Sequence, residues 1–580
     1  MPRILTTDTN VFALPAGAVV DKRGFVYVNT SSEYGTRKDG KGKYSTHKKK
    51  CVGKAVPLES GGRPTHLYAN RAYFSLLKKE SLPEPPSRPD TISVGLHAIA
   101  RAVDEQYGLS DMLAESFGPD SACLVMDLAC YMVSEESAIF QHFPKWARNH
   151  ALFSPEPISD SLISAFLKDQ LTVSRIEQFK QNWARANPGS GRVYFCYDST
   201  NTNSQAEGVF LVEKGHAKDN PDLRQVNTDY VVRQEDGVPL TFKEFPGSIN
   251  DMAEAAEMID FLKKLTDQNL KIVLVCDRGY ISGPNVQELD DAGIGFLMLL
   301  RSNLVDNRRM ISELGAQIKE HQECFIEDFD VYGATHKGKL FGGQKDRYYH
   351  LIWSPSLAET NRRTLRNNLA EQEAQLRKAV QRQTSFVENE LRRFSWFKLD
   401  LQATGSQVPY KGRGRRKAPV DTDTFVIKGF ERDYEAINND IQCCGFYVIV
   451  TSDEMSAAEA YREYHKRDCV EKVFRALKSS LGMDCIGVHT AGAIVGKALV
   501  WFVASILRSA LFLKLASLRK EDRKGFTVPA ALDLLDEISA YKDLNTGKYE
   551  RRYSFTAKQK KILRAVGVKE DSIDALIAGL

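Results

Sequence analysis

Tyr464, Arg467, Glu471 and Lys478 bring a hydroxyl, two cations and a carboxylate together at offsets of three, seven and fourteen residues. At roughly 100° per residue these offsets fall within an arc of about 60° on one helix, with Glu471 about 10 Å along the axis from either end of the strip. The run 455–481 has the pattern such a helix needs. Ala457, Ala458, Tyr461, Tyr464, Val470, Val473, Phe474 and Leu477 fill one side, and no Pro or Gly occurs before Gly482. The chemistry that suits this set is a DNA phosphate held by cations beside a carboxylate-bound metal. A solvated charged face with an i,i+4 Arg467/Glu471 pair has the same spacing.

Two further carboxylates sharpen that choice. Asp198 ends the apolar run 193–197 and Asp277 ends the run 272–276, both of which read as strands buried on two faces. Ligands and catalysis in open α/β sheets gather at such carboxyl ends. An acid there is costly unless a cation or hydrogen bonds compensate it, so two in similar settings suggest a metal site. For either alone, capping of a strand-to-loop turn is the simpler role.

The elements between them give an order. Runs 225–232 and 239–245 are strand-like and join at Glu235-Asp236-Gly237, where Asp-Gly signals a hairpin. The run 251–264 is an amphipathic helix with Met252, Ala255, Met258, Ile259 and Leu262 on one face; 271–276, 284–291 and 295–300 follow as strand, helix and strand. Three strands led by a hairpin, then alternating helix and strand, then a helix with the last acid, is the layout of a ribonuclease H-like core. The fold class expected is therefore α/β, with a mixed five-stranded sheet.

At this point the chain resembles a DDE insertion-sequence transposase of the IS-four superfamily, whose signature is Tyr-x2-Arg-x3-Glu-x6-Lys. Tyr464, Arg467, Glu471 and Lys478 match it without departure, and the length and layout are most similar to the IS-sixteen-thirty-four group. Gly215-His216-Ala217-Lys218-Asp219, Pro221-Asp222-Leu223, Pro246-Gly247, Asn250-Asp251 and Asp277-Arg278-Gly279 also resemble the family, whereas Val488-His489-Thr490 departs from its pattern. The resemblance covers at least 158–515.

What the resemblance implies is an enzyme that cleaves DNA at the terminal inverted repeats of a mobile element and joins the freed 3′-hydroxyl to target DNA. Asp198, Asp277 and Glu471 would be the catalytic and metal-binding acids, holding a pair of Mg2+ or Mn2+ ions that suit oxygen ligands and in-line phosphoryl chemistry. Asp198 is the expected bridging ligand. Tyr464, Arg467 and Lys478 would hold phosphates near the element end, and Arg278 is a further DNA contact. Partners follow by analogy: double-stranded DNA as element end and target, and a homodimer assembled on it.

Composition fits without proving this. At 580 residues the chain is too long for one core, and 42% hydrophobic with 27% charged residues is ordinary for globular protein. A net charge of +4 is only mildly basic, so DNA affinity must come from local patches. Ten cysteines without a C-x-x-C pair indicate neither a zinc knuckle nor a disulfide framework, hence a reducing cytoplasm, and the resemblance implies a nucleoid-associated protein of a bacterium or archaeon. The apolar stretch 493–515 contains Lys497, Arg508 and Lys514, which makes a buried core helix the expectation and a membrane span not.

The expected divisions are a β-rich module at 1–80 that contacts DNA, a Pro-rich linker at 81–90, a helical region at 91–190, the core at 191–301 and 446–515, an inserted domain at 302–445 and a helical tail at 516–580. In the module, short strands at 25–28 and 50–56 flank the basic run Arg37 to Tyr44 and Lys48-Lys49-Lys50, which reads as a backbone-contacting surface or a solvated loop. In the insertion, strands are expected at 325–332 and 348–353 and a long helix at 358–394, where Leu365, Leu369, Leu376, Val380, Val387 and Leu391 form one stripe. Arg413, Arg415 and Arg416 lie in a basic loop suited to phosphate. Trp396, between Phe394 and Phe397, suits stacking on a flipped base or plain core packing. Helices are expected at 530–540 and 557–565.

Overall fold

The computed structural model describes residues 11–36, 43–57, 63–78, 91–155, 158–215, 223–249, 251–266, 270–302, 304–404, 407–408, 420–421, 424–543 and 546–580. The basic loop with Arg413, Arg415 and Arg416, the 81–89 linker and the 216–222 segment lie outside them. The chain divides into two compact units, Met1–Pro89 and Asp90–Leu580.

The first unit is an antiparallel sheet in the order Val11–Ala13, His66–Ala69, Lys43–Ala55, Phe25–Thr36, Val19–Val20. Alternation buries Val26, Val28, Val52, Leu67 and Ala69 on one face under Tyr73. Its two long strands run well beyond the short runs expected, pairing from Phe25↔Lys54 to Thr36↔Lys43.

The second unit is mixed α/β and is built on a nine-stranded sheet. In chain order its strands are β1 (Arg192–Ser204), β2 (Arg224–Arg233), β3 (Pro239–Pro246), β4 (Lys271–Cys276), β5 (Gly295–Leu299), β6 (Phe325–Ile326), β7 (Val331–Lys339), β8 (Asp346–Trp353) and β9 (Phe446–Thr451). Across the sheet they lie β6-β7-β8-β9-β5-β4-β1-β2-β3. β1, β4 and β5 are parallel and buried, which their continuous apolar sequences require; β2 and β3 form the hairpin, turning at Gly237 with φ +69°. Helices α1 (Asp251–Thr266) and α2 (Gly283–Asp291) make the crossovers on either side of β4.

The stretch expected as one insertion divides in two. Strands β6 to β8 extend the main sheet by pairing β8 with β9, while α3 (Pro355–Arg382) and the strands Ser385–Val387, Phe397–Ala403 and Thr424–Arg432 form a separate small core with Leu365, Leu376, Phe394 and Ile427. The helix expected at 358–394 ends twelve residues early, because Gln383 takes a left-handed conformation (φ +48°) and 385–387 pairs as a strand.

Three helices return to the sheet after β9: α4 (Ala457–His465), α5 (Asp468–Ser480) and α6 (Ala491–Lys514). Helix α6 is 89% buried over its most apolar stretch and packs on the helices Pro119–Glu135, Asp160–Asp169 and Val173–Ala186. Its cations are compensated inside the protein: Lys497 Nζ donates to the Ile486 carbonyl at 2.6 Å and Arg508 pairs with Glu136 at 3.0 Å. Burial lowers the Lys497 pKa to about 8. In the C-terminal segment the helix expected at 530–540 stops at Asp536, and Ser539–Lys542 instead pairs with Thr91–Ser93.

Candidate active site

The parallel register of β1 and β4 ends at Tyr197↔Cys276, so the next residue on each strand is an acid, Asp198 and Asp277. Adjacent strands lie about 4.8 Å apart, which makes the two carboxylates lateral neighbours. Asp277 leaves the sheet at once, and its Oδ1 accepts from Arg278 N at 2.7 Å to cap a 3-10 turn. Asp198, expected at a strand end, is not at one: β1 continues to Ser204, paired along its length with β2 and bridged at Asn203 to Cys485, where the Asn203 carbonyl accepts from Ile486 N at 3.0 Å. Ser199-Thr200-Asn201-Thr202-Asn203 has the composition of a loop, yet it is a strand with Thr200, Asn201 and Thr202 buried: its backbone pairs with β2 and the Asn201 amide bonds Gln225, while Thr202 Oγ1 and Asn203 Oδ1 are buried without a partner among the described residues.

The helix with the four signature residues is not continuous either. It breaks between α4 and α5, where Arg467, Cys469 and Val470 N–H groups bond to carbonyls three residues back instead of four. No Gly or Pro causes this. Tyr464 is therefore on α4, Arg467 at the junction, and Glu471 and Lys478 on α5, so the strip is interrupted by a tighter turn rather than lying on one continuous helix. The apolar side is as the periodicity requires, with Ala457, Tyr461, Val470, Val473 and Leu477 buried.

At the junction Arg467 reaches the sheet at Asp198. Its Nη1 donates to Asp198 Oδ2 at 3.1 Å and its Nη2 to Glu471 Oε1 at 2.7 Å, while its guanidinium carbon lies 5.7 Å from the centroid of the Tyr464 ring. Tyr464 Oη in turn donates to Asp277 Oδ1 at 3.5 Å. Asp198, Asp277 and Glu471 are thus gathered around one guanidinium. Burial opposes its charge, but Tyr464, Asp198, Asp277 and Glu471 together raise the Arg467 pKa above its ordinary value. Burial, and after it Asp277, raises the Tyr464 hydroxyl pKa against the pull of Arg467, so this group stays protonated as a donor.

In this arrangement the acids do not form a ready-made ion cage. Among the described residues no three His, Cys, Asp or Glu side chains are grouped so as to hold a metal. The donor set nevertheless fits a hard divalent cation, being three carboxylates, all oxygen, from two neighbouring strands and one helix. The space between Asp198 and Glu471 is spanned by Arg467, an internal positive charge.

Further along β1, Lys478 Nζ donates to Asn201 Oδ1 at 3.4 Å. Asn201 donates to Gln225 Oε1 at 2.8 Å, Gln225 to Asn227 Oδ1 at 3.0 Å, and Asn227 to the Ile249 carbonyl at 3.2 Å. Sequence reasoning missed this amide row; its signal was the Asn/Thr alternation of 200–203 after an apolar strand. Arg278 is exposed beside Asp277. Trp396 lies apart from the acids in the small core of 365–444, where its Nε1 donates to Asp440 Oδ2 at 2.7 Å.

A family model described as "Transposase DDE domain" matches residues 190–507, more than half of the chain and all of the residues just described around Arg467. No curated protein matches it. One solved structure, the cryo-EM structure of a piggyBac transposase synaptic complex with hairpin DNA, is 7% identical, with 88% of this chain and 76% of that chain covered and a TM-score of 0.32; at that score the likeness carries no argument. The family match settles the class of enzyme. DDE transposases cut DNA and transfer strands with the help of divalent metal ions, and this chain belongs to the transposase DDE domain family.

Proposed function

We propose that Asp198, Asp277 and Glu471 are the catalytic acids of a transposase that cleaves the terminal inverted repeats of an insertion sequence and joins them to target DNA. One observation supports this above the others: the Tyr197↔Cys276 register makes Asp198 and Asp277 neighbours, and Arg467 ties Glu471 to the same place. The order of β1 to β5, with its antiparallel hairpin on one side and parallel strands on the other, favours reading the core as ribonuclease H-like. The signature Tyr464, Arg467, Glu471 and Lys478 favours the IS-four superfamily and, with the length of the chain, the IS-sixteen-thirty-four group.

Asp198, Asp277 and Glu471 would hold two Mg2+ or Mn2+ ions, which would supply polarisation of the scissile phosphodiester and a lowered pKa of an attacking water or 3′-hydroxyl. The chain's own side chains do the rest. Tyr464 donates a proton-bearing hydroxyl toward Asp277 and orients it. Lys478, fixed by Asn201, presents a point charge to a phosphate along the strand. Arg467 exchanges its carboxylate partners for a DNA phosphate, for which its planar fork is suited, and so uncovers the acids when an element end arrives. Arg278 contacts the same duplex from beside Asp277, and Arg413, Arg415 and Arg416 meet DNA backbone from their basic loop. Trp396 is read as a core residue held by Asp440 and not as a base-stacking one.

We read the organisation as a DNA-contacting module over 1–80, a linker at 81–90, helices at 91–190, a core at 191–301 and 446–515 around the segment 302–445, and a tail at 516–580, the whole acting as a homodimer on two element ends. The test is incubation of the purified protein with the genomic DNA that flanks its own gene, with Mg2+ or Mn2+. Cuts at fixed positions that vanish with EDTA and in Asp198→Asn support the reading. Intact DNA under all conditions, with the protein folded and binding it, refutes it.

A further inference from the structure

The long hairpin of the first unit outruns its own sheet. His66–Ala69 pairs with Lys43–Ala55 only at Gly53, Lys54 and Ala55, and Val19–Val20 pairs with Phe25–Thr36 only at Val26 and Tyr27. From Asn29↔Lys49 to Thr36↔Lys43 the two long strands therefore pair with each other alone among the described residues. Eight residues at about 3.4 Å each make a two-stranded ribbon roughly 25 Å long.

Such a ribbon is marginal in water unless an apolar face is covered. This one has little apolar sequence of its own: residues 29–36 and 43–50 contain no Val, Ile, Leu, Met, Phe or Trp, and two tyrosines, Tyr34 and Tyr44. What it has is charge. In 29–36 and 43–50 stand Lys43, Lys48, Lys49 and Lys50 against Glu33 alone, a net of +3 in sixteen residues where the entire chain carries +4. His47, Lys48, Lys49 and Lys50 are exposed where the ribbon leaves the sheet. A paired, polar, cationic arm calls for a partner that is long, hydrated and anionic. A second copy joined edge to edge would set +3 against +3, which disfavours that occupant.

We propose that this ribbon is a DNA arm that lies in the major groove of a duplex, with Lys48, Lys49 and Lys50 against the flanking phosphates. The groove, about 12 Å wide, admits two strands about 4.8 Å apart with their side chains. The inference rests on the transposase reading for the identity of the duplex, and it adds where and how the first unit grips it.

The test is duplex binding by the full-length protein, followed by fluorescence anisotropy across a salt series. The Lys48→Gln/Lys49→Gln/Lys50→Gln variant is expected to bind at least about tenfold more weakly, with the salt slope reduced by up to about 0.9 for each phosphate no longer neutralised. The corresponding triple Arg variant should restore both. A duplex whose pyrimidines carry bulky 5-substituents should weaken wild-type binding, and a minor-groove ligand should not. Unchanged affinity and slope in the Gln variant, undiminished binding to the blocked duplex, or a change in self-association in place of DNA affinity would each overturn the proposal. Metal-dependent cutting of the same DNA by wild type separates the two readings: cutting with unaltered binding by the Gln variant sinks the arm alone, and binding without cutting sinks the transposase reading alone.

Discussion

Arg467 joins Asp198 to Glu471 across 273 residues of sequence, donating to the first at 3.1 Å and to the second at 2.7 Å. A guanidinium with its carbon over the Tyr464 ring and its nitrogens on two acids is a counter-charge that a metal-free site needs, and one that must yield before a divalent ion can take both carboxylates.

In protein without DNA, Arg467→Gln is accordingly expected to bind Mn2+ about tenfold more tightly than wild type, since two carboxylates lose their internal cation. Electron paramagnetic resonance of free Mn2+ measures this directly. Weaker or equal binding would show that the guanidinium does not compete with the ion. Cleavage by the same variant should fall.

Asp198→Asn, Asp277→Asn and Glu471→Gln should each reduce cleavage by at least about a thousandfold, because groups that act as a unit lose most of their effect when one is removed. Duplex affinity should change by no more than a few-fold. Turnover near the wild-type rate in any of the three would remove that residue from the site.

Lys478→Ala is expected to lower the salt slope of end binding by about 1 and to leave sequence preference unaltered, the behaviour of a phosphate contact. Asn201→Ala should act in the same direction by releasing the lysine from its 3.4 Å partner. A salt slope equal to wild type in Lys478→Ala would assign that lysine a purely structural part.

Glu244 on β3 offers a test of the scaffold by pH. Its Oε1 is shielded from solvent, and burial raises its pKa from 4.5 to about 7 against the pull of Lys180. Between those values the folded state binds the proton more tightly than the unfolded state, so this group's contribution to stability falls as pH rises from about 4.5 to about 7 and stays low above it. Glu244→Gln should flatten that part of the melting-temperature profile and stabilise the protein at pH 8. A profile parallel to wild type would contradict the assignment.

The parts of this molecule that could be read in advance are those whose cause is local. Ile272 to Cys276 and Val193 to Tyr197 announce buried parallel strands by unbroken apolar sequence, and Asp236-Gly237 announces its turn. The break at Arg467 could not be read, because no breaker residue marks it and Asp198, one of the groups that hold it, lies far away in the chain. The second half of β1 was hidden for a related reason: Thr200, Asn201 and Thr202 look like loop until the β2 ladder is present to pair their backbone and Gln225 to bond the Asn201 amide. Val387 and Leu391 continued the stripe of α3 by coincidence of spacing; a strand pairing to Thr424 and a separate short helix use them instead.

The chain leaves the main sheet at Trp353 and re-enters it at Phe446, and these two residues face each other in the ladder, with Ser354 N bonded to the Gly445 carbonyl at 3.0 Å. Among the described residues, the lobe between is joined to the sheet by that strand pair and to the helix Val305–Ile318 by an Arg308–Asp440 ion pair at 4.0 Å. Changes of length within that lobe would leave the pairing of β8 with β9 in place, and with it the register that sets Asp198 beside Asp277.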